Sequence, residues 1–354
     1  MPSSVPKKFF TMNNSKKPVR ILEGVRPDQI PFDTLFEANE PVILRGLVSD
    51  WGLVQAGKVS PDNAMQVLQS HSSGQPVGVY IAPPEANARF FYNDDCTGFN
   101  YQSKHSDLNE IFAEIRDGKN NPQHPYYYMN SLTLDHCFPG LREHNDLSFE
   151  HPLFTNNKPL SKVWVGTESI AAAHYDVPSN LACCVVGERR FTLFPPEQIH
   201  NLYPGPLEPT PGGQVITMVD LKNPDFERFP RVRQALDAAV VVDLQPGDAV
   251  YYPSMWWHQV EALSPFNIMI NFWWLTAPAY MGNPMDIVMH ALMGIRDRPE
   301  AEKNAWREVF EYYVFGSSET PREHLPAAIQ GALAKLDDDT VRRIRALVKN
   351  KLNR

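Results

Sequence analysis

Residues 171–196 read AAAHYDVPSNLACCVVGERRFTLFPP, and the fold turns on this stretch. Leu181–Val186 is an unbroken run of apolar residues, closed by Gly187, and reads as a buried strand. A second β-rich run, Arg189–Phe194, follows at once and ends at Pro195-Pro196. Side chains alternate along a strand, so Arg189 shares a face with Phe191 and Leu193, while Arg190 shares the other with Thr192. One arginine is thereby aimed at the interior of whatever these strands enclose.

Working outward, the same texture repeats. SKVWVG (161–166), AAVVVDLQPGD (238–248), AVYYP (249–253), WWHQVEAL (256–263) and NIMINFWWL (267–275) are short β-rich runs cut by Gly, Pro and Asp, with a turn at Gln245-Pro246-Gly247-Asp248. Many short strands at this spacing predict a sandwich or a barrel over residues 161–278. Residues 1–160 mix the two kinds of element. Pro41–Gly46 reads as a short buried strand. Asp107–Ile115 has Leu108, Ile111, Phe112 and Ile115 at helical spacing behind a cap at Ser106 or Asp107, and Tyr126–Asn130 reads as an aromatic strand. Residues 284–354 read as helical, with one stripe at Leu325, Ile329, Leu333 and Leu336 and another at Val341, Ile344, Val348 and Leu352. Such stripes must be covered, by their own domain or by a second copy of the chain.

Composition narrows the class. The 354 residues are 43% apolar and 21% charged, with 32 prolines against 19 glycines, which suits a loop-rich β architecture with a large core. Lys plus Arg is 33 and Asp plus Glu is 41, a net charge of −8 that argues against tight nonspecific nucleic-acid binding. Cys96, Cys137, Cys183 and Cys184 form no C-x-x-C pair and read as reduced thiols of a cytoplasmic protein. The first 17 residues lack an apolar stretch of the secretory kind, and nowhere do 18 apolar residues run together, so no membrane span is expected.

The chemistry is carried by His174-Tyr175-Asp176. On a strand, residues i and i+2 point the same way, so this His and Asp can grip one ion, and a second His from elsewhere completes a two-His, one-carboxylate triad that leaves coordination positions open. The tripeptide alone is weak: chance gives about 0.65 matches in such a chain. His105-Ser106-Asp107 and His144-Asn145-Asp146 also match, but the first Asp is better spent as a helix cap and the second pair lies in a polar loop. Only His174 precedes a buried-looking strand. Among the later histidines, His200 sits in a loop and His290 and His324 in the helical tail, which leaves His258, in Trp256-Trp257-His258 after a strand.

Taken in order, H-Y-D-x3-N, then G-x-R-R-F-x-L-F-P-P, then P-G-D-x-x-Y-x-P-x-x-W-W-H, then N-F-W resembles the Jumonji-C and cupin-like family of Fe(II)- and 2-oxoglutarate-dependent oxygenases, closest to its asparaginyl-hydroxylase branch. The resemblance covers most of residues 40–278. It implies a mainly β fold with flanking helices, a double-stranded β-helix (jelly roll, cupin-like) with an N-terminal α/β elaboration and a C-terminal helical segment. The domain so implied is 1–283, with its core barrel at about 125–278, followed by 284–354. It places the metal on His174, Asp176 and His258. It gives Arg189, where this branch usually has Lys, the distal carboxylate of 2-oxoglutarate, and it sets Tyr128, Asn130, Asn180, Asn271 and Trp273 around the cosubstrate. Ala171 stands where the family often has a Thr that helps hold 2-oxoglutarate. The resemblance further implies hydroxylation of a protein or peptide side chain and a homodimer through residues 321–352. The alternatives are a tRNA or small-molecule hydroxylase, a metal-binding cupin with other chemistry, and a binding protein that has kept only the fold.

Overall fold

The computed structural model describes residues 18–118 and 121–352. The chain divides into two compact units, residues 1–276 and 277–354.

The first unit holds the strands, in chain order β1 (Arg20–Glu23), β2 (Val42–Arg45), β3 (Val77–Ala82), β4 (Arg89–Phe90), β5 (Gln102–Ser106), β6 (Tyr126–Thr133), β7 (Leu160–Gly166), β8 (Ser169–Tyr175), β9 (Ser179–Val186), β10 (Arg189–Phe194), β11 (Val240–Leu244), β12 (Ala249–Tyr252), β13 (Trp257–Ala262) and β14 (Asn267–Trp274). They form two sheets. The larger runs β1-β2-β12-β9-β14-β7-β6-β3-β5 and the smaller β11-β10-β13-β8-β4. From β7 to β14 the chain passes from one sheet to the other at each connection except β10 to β11, which pair within the smaller sheet, so the sheets face each other as the two walls of a jelly roll.

Period-two alternation decides what each wall buries. On β9, Leu181, Cys183 and Val185 join the core beneath the N-terminal helices, together with Leu53, Met65, Leu68, Ile111 and Phe112, while Ala182 and Cys184 face the opposite sheet. On β14, Ile268, Ile270, Phe272 and Trp274 take the helical side and Met269 the inner side. The inner layer is completed by Phe191 and Leu193 of β10, Val240, Val242 and Leu244 of β11, and Val250 and Tyr252 of β12. A strand buried on both faces has no polar face to show, which is why β9 reads as a continuous apolar run.

Two turns fix this framework. Gly187, at φ +75°, links β9 to β10, and a Cβ there would lie 2.4 Å from Asn267 Oδ1 and 2.7 Å from the Phe266 carbonyl oxygen. The turn before β12 is held by Asp248, whose carboxylate accepts from the Gly46 N–H at 2.9 Å, the Gln245 N–H at 3.0 Å and Arg45 at 2.6 Å. The helix Leu108–Gly118 starts where Asp107 accepts from the Asn109 N–H at 2.7 Å.

The second unit contains helices Pro284–Gly294, Glu300–Phe310 and Asp338–Leu352. The expected helix through Leu325, Ile329, Leu333 and Leu336 does not form. Two short 3₁₀ turns, Ala327–Ile329 and Gly331–Leu333, stand in its place. Pro326 has no N–H to give and Gly331 sits at φ +57°, so the backbone is punctuated where a continuous helix would need its ladder. The second stripe, Val341 to Leu352, does lie on a helix, with the Asp337 carboxylate accepting from the Thr340 N–H at 2.8 Å. Among the described residues no helix of this unit is long and apolar enough to cross a membrane.

Candidate active site

The site lies between the walls, where β8 and β13 run side by side. Their register sets His174 directly opposite His258. The neighbouring residues Ala173, Tyr175 and Trp257 are packed in a core on the outer side of this sheet, so both imidazoles point inward. The rings are 4.3 Å apart between centroids. Asp176 is the first residue past β8, and its carbonyl accepts from the Met255 N–H at 2.9 Å, which ties it to the loop that leads into β13. His258 Nε2 is 3.6 Å from Asp176 Oδ2, and one ligand atom from each of His174, Asp176 and His258 lies within 4.8 Å of the others.

The tautomers follow from the backbone. His174 Nδ1 is 2.8 Å from the Ala172 carbonyl oxygen and His258 Nδ1 is 3.0 Å from that of Trp256. A carbonyl only accepts, so in each neutral ring Nδ1 carries the proton and Nε2 keeps its lone pair. Such a second contact both fixes a ligating ring and raises its basicity. Burial holds His258 well below the usual imidazole range, and the His174 ring beside it adds to the effect. Burial pushes the Asp176 carboxyl up, against the pull of His174 and the Asn180 amide. Two imidazoles presenting Nε2 and a carboxylate at 8% exposure make a donor set suited to Fe(II), and a cation there would relieve the cost of burying the carboxylate.

Next to the triad lies a group of donors without acceptors. Arg189 is 3% exposed; it points inward with Phe191 and Leu193, its Nε has no partner, and it forms no ion pair with another described residue. Asn180 is fully buried, and its Nδ2 completes no hydrogen bond of normal geometry. The Trp273 Nε1 is likewise buried and unpaired. Buried N–H donors left unmet on the two facing walls, Arg189 on β10 and Asn180 and Trp273 on β9 and β14, call for a guest rich in acceptor oxygens, which is the chemistry of a dicarboxylate such as 2-oxoglutarate. Among the described residues the other unmet buried polar atoms, on Thr192, Asn267 and Trp274, lie away from these donors: Thr192 on the outer parity of β10, Trp274 in the core under the helices and Asn267 at the start of β14.

Other expected residues fall into place around these donors. Asn271 donates to Asn180 Oδ1 at 3.2 Å and accepts from Trp164 Nε1 at 2.7 Å, so the two asparagines and the indole form one chain. Tyr128 stacks on Trp164 at 5.8 Å, and burial drives its phenol above the ordinary range although Arg189 pulls it down. Asn130 is half-buried on β6 at a register break between Met129 and Leu132, and its side chain makes no hydrogen bond to another described residue.

Three side chains here were missed in the sequence. Trp164 bridges Tyr128, Asn271 and Trp273. Tyr252 lies 4.6 Å from the His258 ring. Lys162 shares the inner face of β7 with Trp164, but its ammonium already donates to Thr133 Oγ1 at 2.9 Å and to the Ser131 carbonyl at 3.3 Å. Alternation in SKVWVG and AVYYP was the available signal: the partners of Val163, Val165 and Tyr251, which fill the helical core, must face the roll.

Comparison with known proteins agrees with this architecture. A model of the cupin-like domain matches residues 27–280. Lysine-specific demethylase JMJ31 of Arabidopsis thaliana is 34% identical over 135 residues, 37% of this chain and 24% of that protein. HSPB1-associated protein 1 of Homo sapiens is 37% identical over 119 residues, 33% of this chain and 24% of that protein. Jumonji C domain-containing protein 5 of Drosophila melanogaster is 34% identical over 114 residues, 32% and 27% of the two chains. The chain thus spans about a quarter of the length of these relatives.

Proposed function

Because this chain belongs to the cupin-like domain family, with JmjC proteins among its relatives, we propose that it is an Fe(II)- and 2-oxoglutarate-dependent oxygenase acting on a protein or peptide side chain. The observation that carries the reading is the pairing of two opposed elements inside the roll. His174, Asp176 and His258 offer a cation three ligands, and Arg189, Asn180 and Trp273 offer an anion three unmet donors.

When bound, iron supplies the O2-dependent oxidation that converts 2-oxoglutarate to succinate and CO2 and places one oxygen atom in a substrate C–H bond. The protein's own part is positional. His174 and His258 present Nε2 because Ala172 and Trp256 hold their Nδ1 protons. Arg189 pairs with the distal carboxylate of the cosubstrate, where a guanidinium fork matches two oxygens. Asn271, fixed by Trp164, orients Asn180 toward the same guest. Tyr252, against the His258 ring, and Trp164, against Tyr128, set aromatic surface beside the reacting atoms and keep bulk water from them.

A second reading is N-methyl oxidation, favoured by the printed name of the Arabidopsis relative, a lysine-specific demethylase. The two differ in mass. Hydroxylation adds about 16 Da, one oxygen atom, whereas oxidation of an N-methyl group ends in loss of formaldehyde and a decrease of about 14 Da. Incubation of the full chain with Fe(II), 2-oxoglutarate and peptide arrays, scored for both masses, separates them. Absence of Fe(II)-dependent succinate formation with every peptide contradicts the oxygenase reading and favours a cupin with other chemistry.

A homodimer through the C-terminal segment belongs to the same proposal. It is supported by the exposure of Leu347 (54%) and Leu352 (52%) on the Asp338–Leu352 helix. Light scattering at micromolar concentration should give twice the chain mass, and a monomer contradicts it. The four cysteines are free, which fits the cytoplasmic setting included in this reading.

A further inference from the structure

Between β10 and β11 the chain makes a long excursion, residues 195–239, that the triad and the cosubstrate donors do not use. It encloses a surface cavity of about 550 Å³ lined by Ile199, His200, Tyr203, Met218, Arg228 and Arg231 with Phe229. Both arginines lie over aromatic rings: Arg231 is 4.3 Å from the Tyr203 centroid and Arg228 is 5.0 Å from that of Phe229. Arg231 Nε donates to the His200 carbonyl at 3.1 Å, and its backbone N–H donates to the Tyr203 hydroxyl at 3.0 Å. Neither guanidinium forms an ion pair with another described residue. In a chain of net charge −8, two arginines held on rings at a cavity and left without a carboxylate are placed for one to be brought in.

The cavity is coupled to the active site through the sheet. Ile216 bridges His174 in antiparallel fashion, and the Thr217 N–H donates to the Ala173 carbonyl at 2.7 Å. Met218, two residues on, therefore shares the inward parity of Ile216 and His174. An antiparallel bridge spaces Cα atoms about 5 Å apart and a strand advances about 3.3 Å per residue, so Met218 lies on the order of 8 Å from His174. Tyr203, whose carbonyl accepts from the Met218 N–H at 3.0 Å and whose ring packs on the outer core of the sheet, sits at φ +48°, a conformation a tyrosine keeps only when its surroundings hold it there.

We infer that this cavity is a specificity subsite that takes an acidic side chain, Asp or Glu, of a polypeptide substrate. At about 3.3 Å per residue of extended chain, the acidic residue falls roughly two to four positions from the one oxidised. The inference rests on the oxygenase reading for its biological sense, but its test does not.

The full chain is titrated, without iron or 2-oxoglutarate, against a fluorescein-labelled decapeptide of alternating Glu and Ala, against the same peptide with Gln for Glu, and against a single-stranded RNA of equal length. The Glu peptide should bind about tenfold more tightly than the Gln peptide, and Arg228→Glu should abolish the preference. Arg228→Lys should keep most of it, and Met218→Trp, which fills the cavity without touching charge, should weaken binding of the Glu peptide. Melting curves of each variant show whether it is folded. Equal affinity for the two peptides, or an unchanged preference in Arg228→Glu, overturns the assignment. Tighter binding of the RNA, lost in Arg228→Glu, overturns it in favour of a nucleic-acid contact. A missing succinate signal alongside the expected peptide preference would fell the oxygenase reading and leave the subsite standing.

Discussion

Replacement of Arg189 by Met should move two measured quantities in opposite directions. The guanidinium is 3% exposed, its Nε has no acceptor and burial depresses its basicity. In the free protein it is a buried charge without a partner, and exchanging it for an apolar side chain of similar length is expected to stabilise the fold by about 1–3 kcal/mol. For a unit of this size that corresponds to a rise in Tm of roughly 2–4 °C per kcal/mol. In the complex the same residue supplies the fork for the distal carboxylate. Removing one member of a buried charged pair costs about 2–5 kcal/mol, or on the order of 30-fold to several-thousandfold in Kd. Scanning fluorimetry of the metal-free protein and calorimetric titration of 2-oxoglutarate into the Mn(II)-loaded protein give the two numbers. A variant that melts lower than wild type, or that binds 2-oxoglutarate within about threefold of it, refutes the reasoning. Asn180→Ala should weaken the same ligand without the gain in stability, because it breaks the bond to Asn271.

Other consequences can be checked in parallel. Gly187→Ala should destabilise by about 2 kcal/mol or more in a urea melt, since a Cβ meets Asn267 Oδ1 at 2.4 Å and the Phe266 carbonyl at 2.7 Å and φ is +75°. With iodoacetamide on the native protein, Cys96 and Cys137 should label and the buried Cys183 and Cys184 should not, the Cys184 thiol being pushed up to about 12 by burial. Metal-free protein should lose stability as pH falls below about 6.5, the ordinary imidazole value: His258 takes a proton readily when unfolded and resists it when folded, so stability present above that pH drains away below it. A His258→Gln variant should flatten that slope.

Much of this was legible because β structure writes its faces into the sequence. Period two placed Arg189 with Phe191 and Leu193 and Arg190 with Thr192, and in the structure Arg190 pairs with the exposed Asp243 while Arg189 faces the roll. The apolar run Leu181–Val186 within β9 signalled a buried strand, and the structure covers it on both faces. Strand β8 was harder to see, because Ala171-Ala172-Ala173 carries no β preference of its own and holds its extended form through pairing with β13. The His174–His258 register is a long-range fact that no local pattern encodes. Trp164 and Tyr252 sit in runs read only as strands, and their inner position becomes clear once Val163 and Tyr251 are known to fill the opposite core. The Leu325–Leu336 stripe failed for a different reason: apolar spacing suggested a helix, but Pro326 and Gly331 outweighed it.

The central claim is that His174 of β8, Asp176 just past it and His258 of β13 share a single ion. Anaerobic calorimetric titration with Fe(II), run on wild type, Asp176→Ala and His258→Ala, addresses it directly. One ion per chain in the wild type, with affinity reduced at least a hundredfold in both variants, is the predicted result. Equal binding in either variant, or a folded wild-type protein that takes up no Fe(II), contradicts the account.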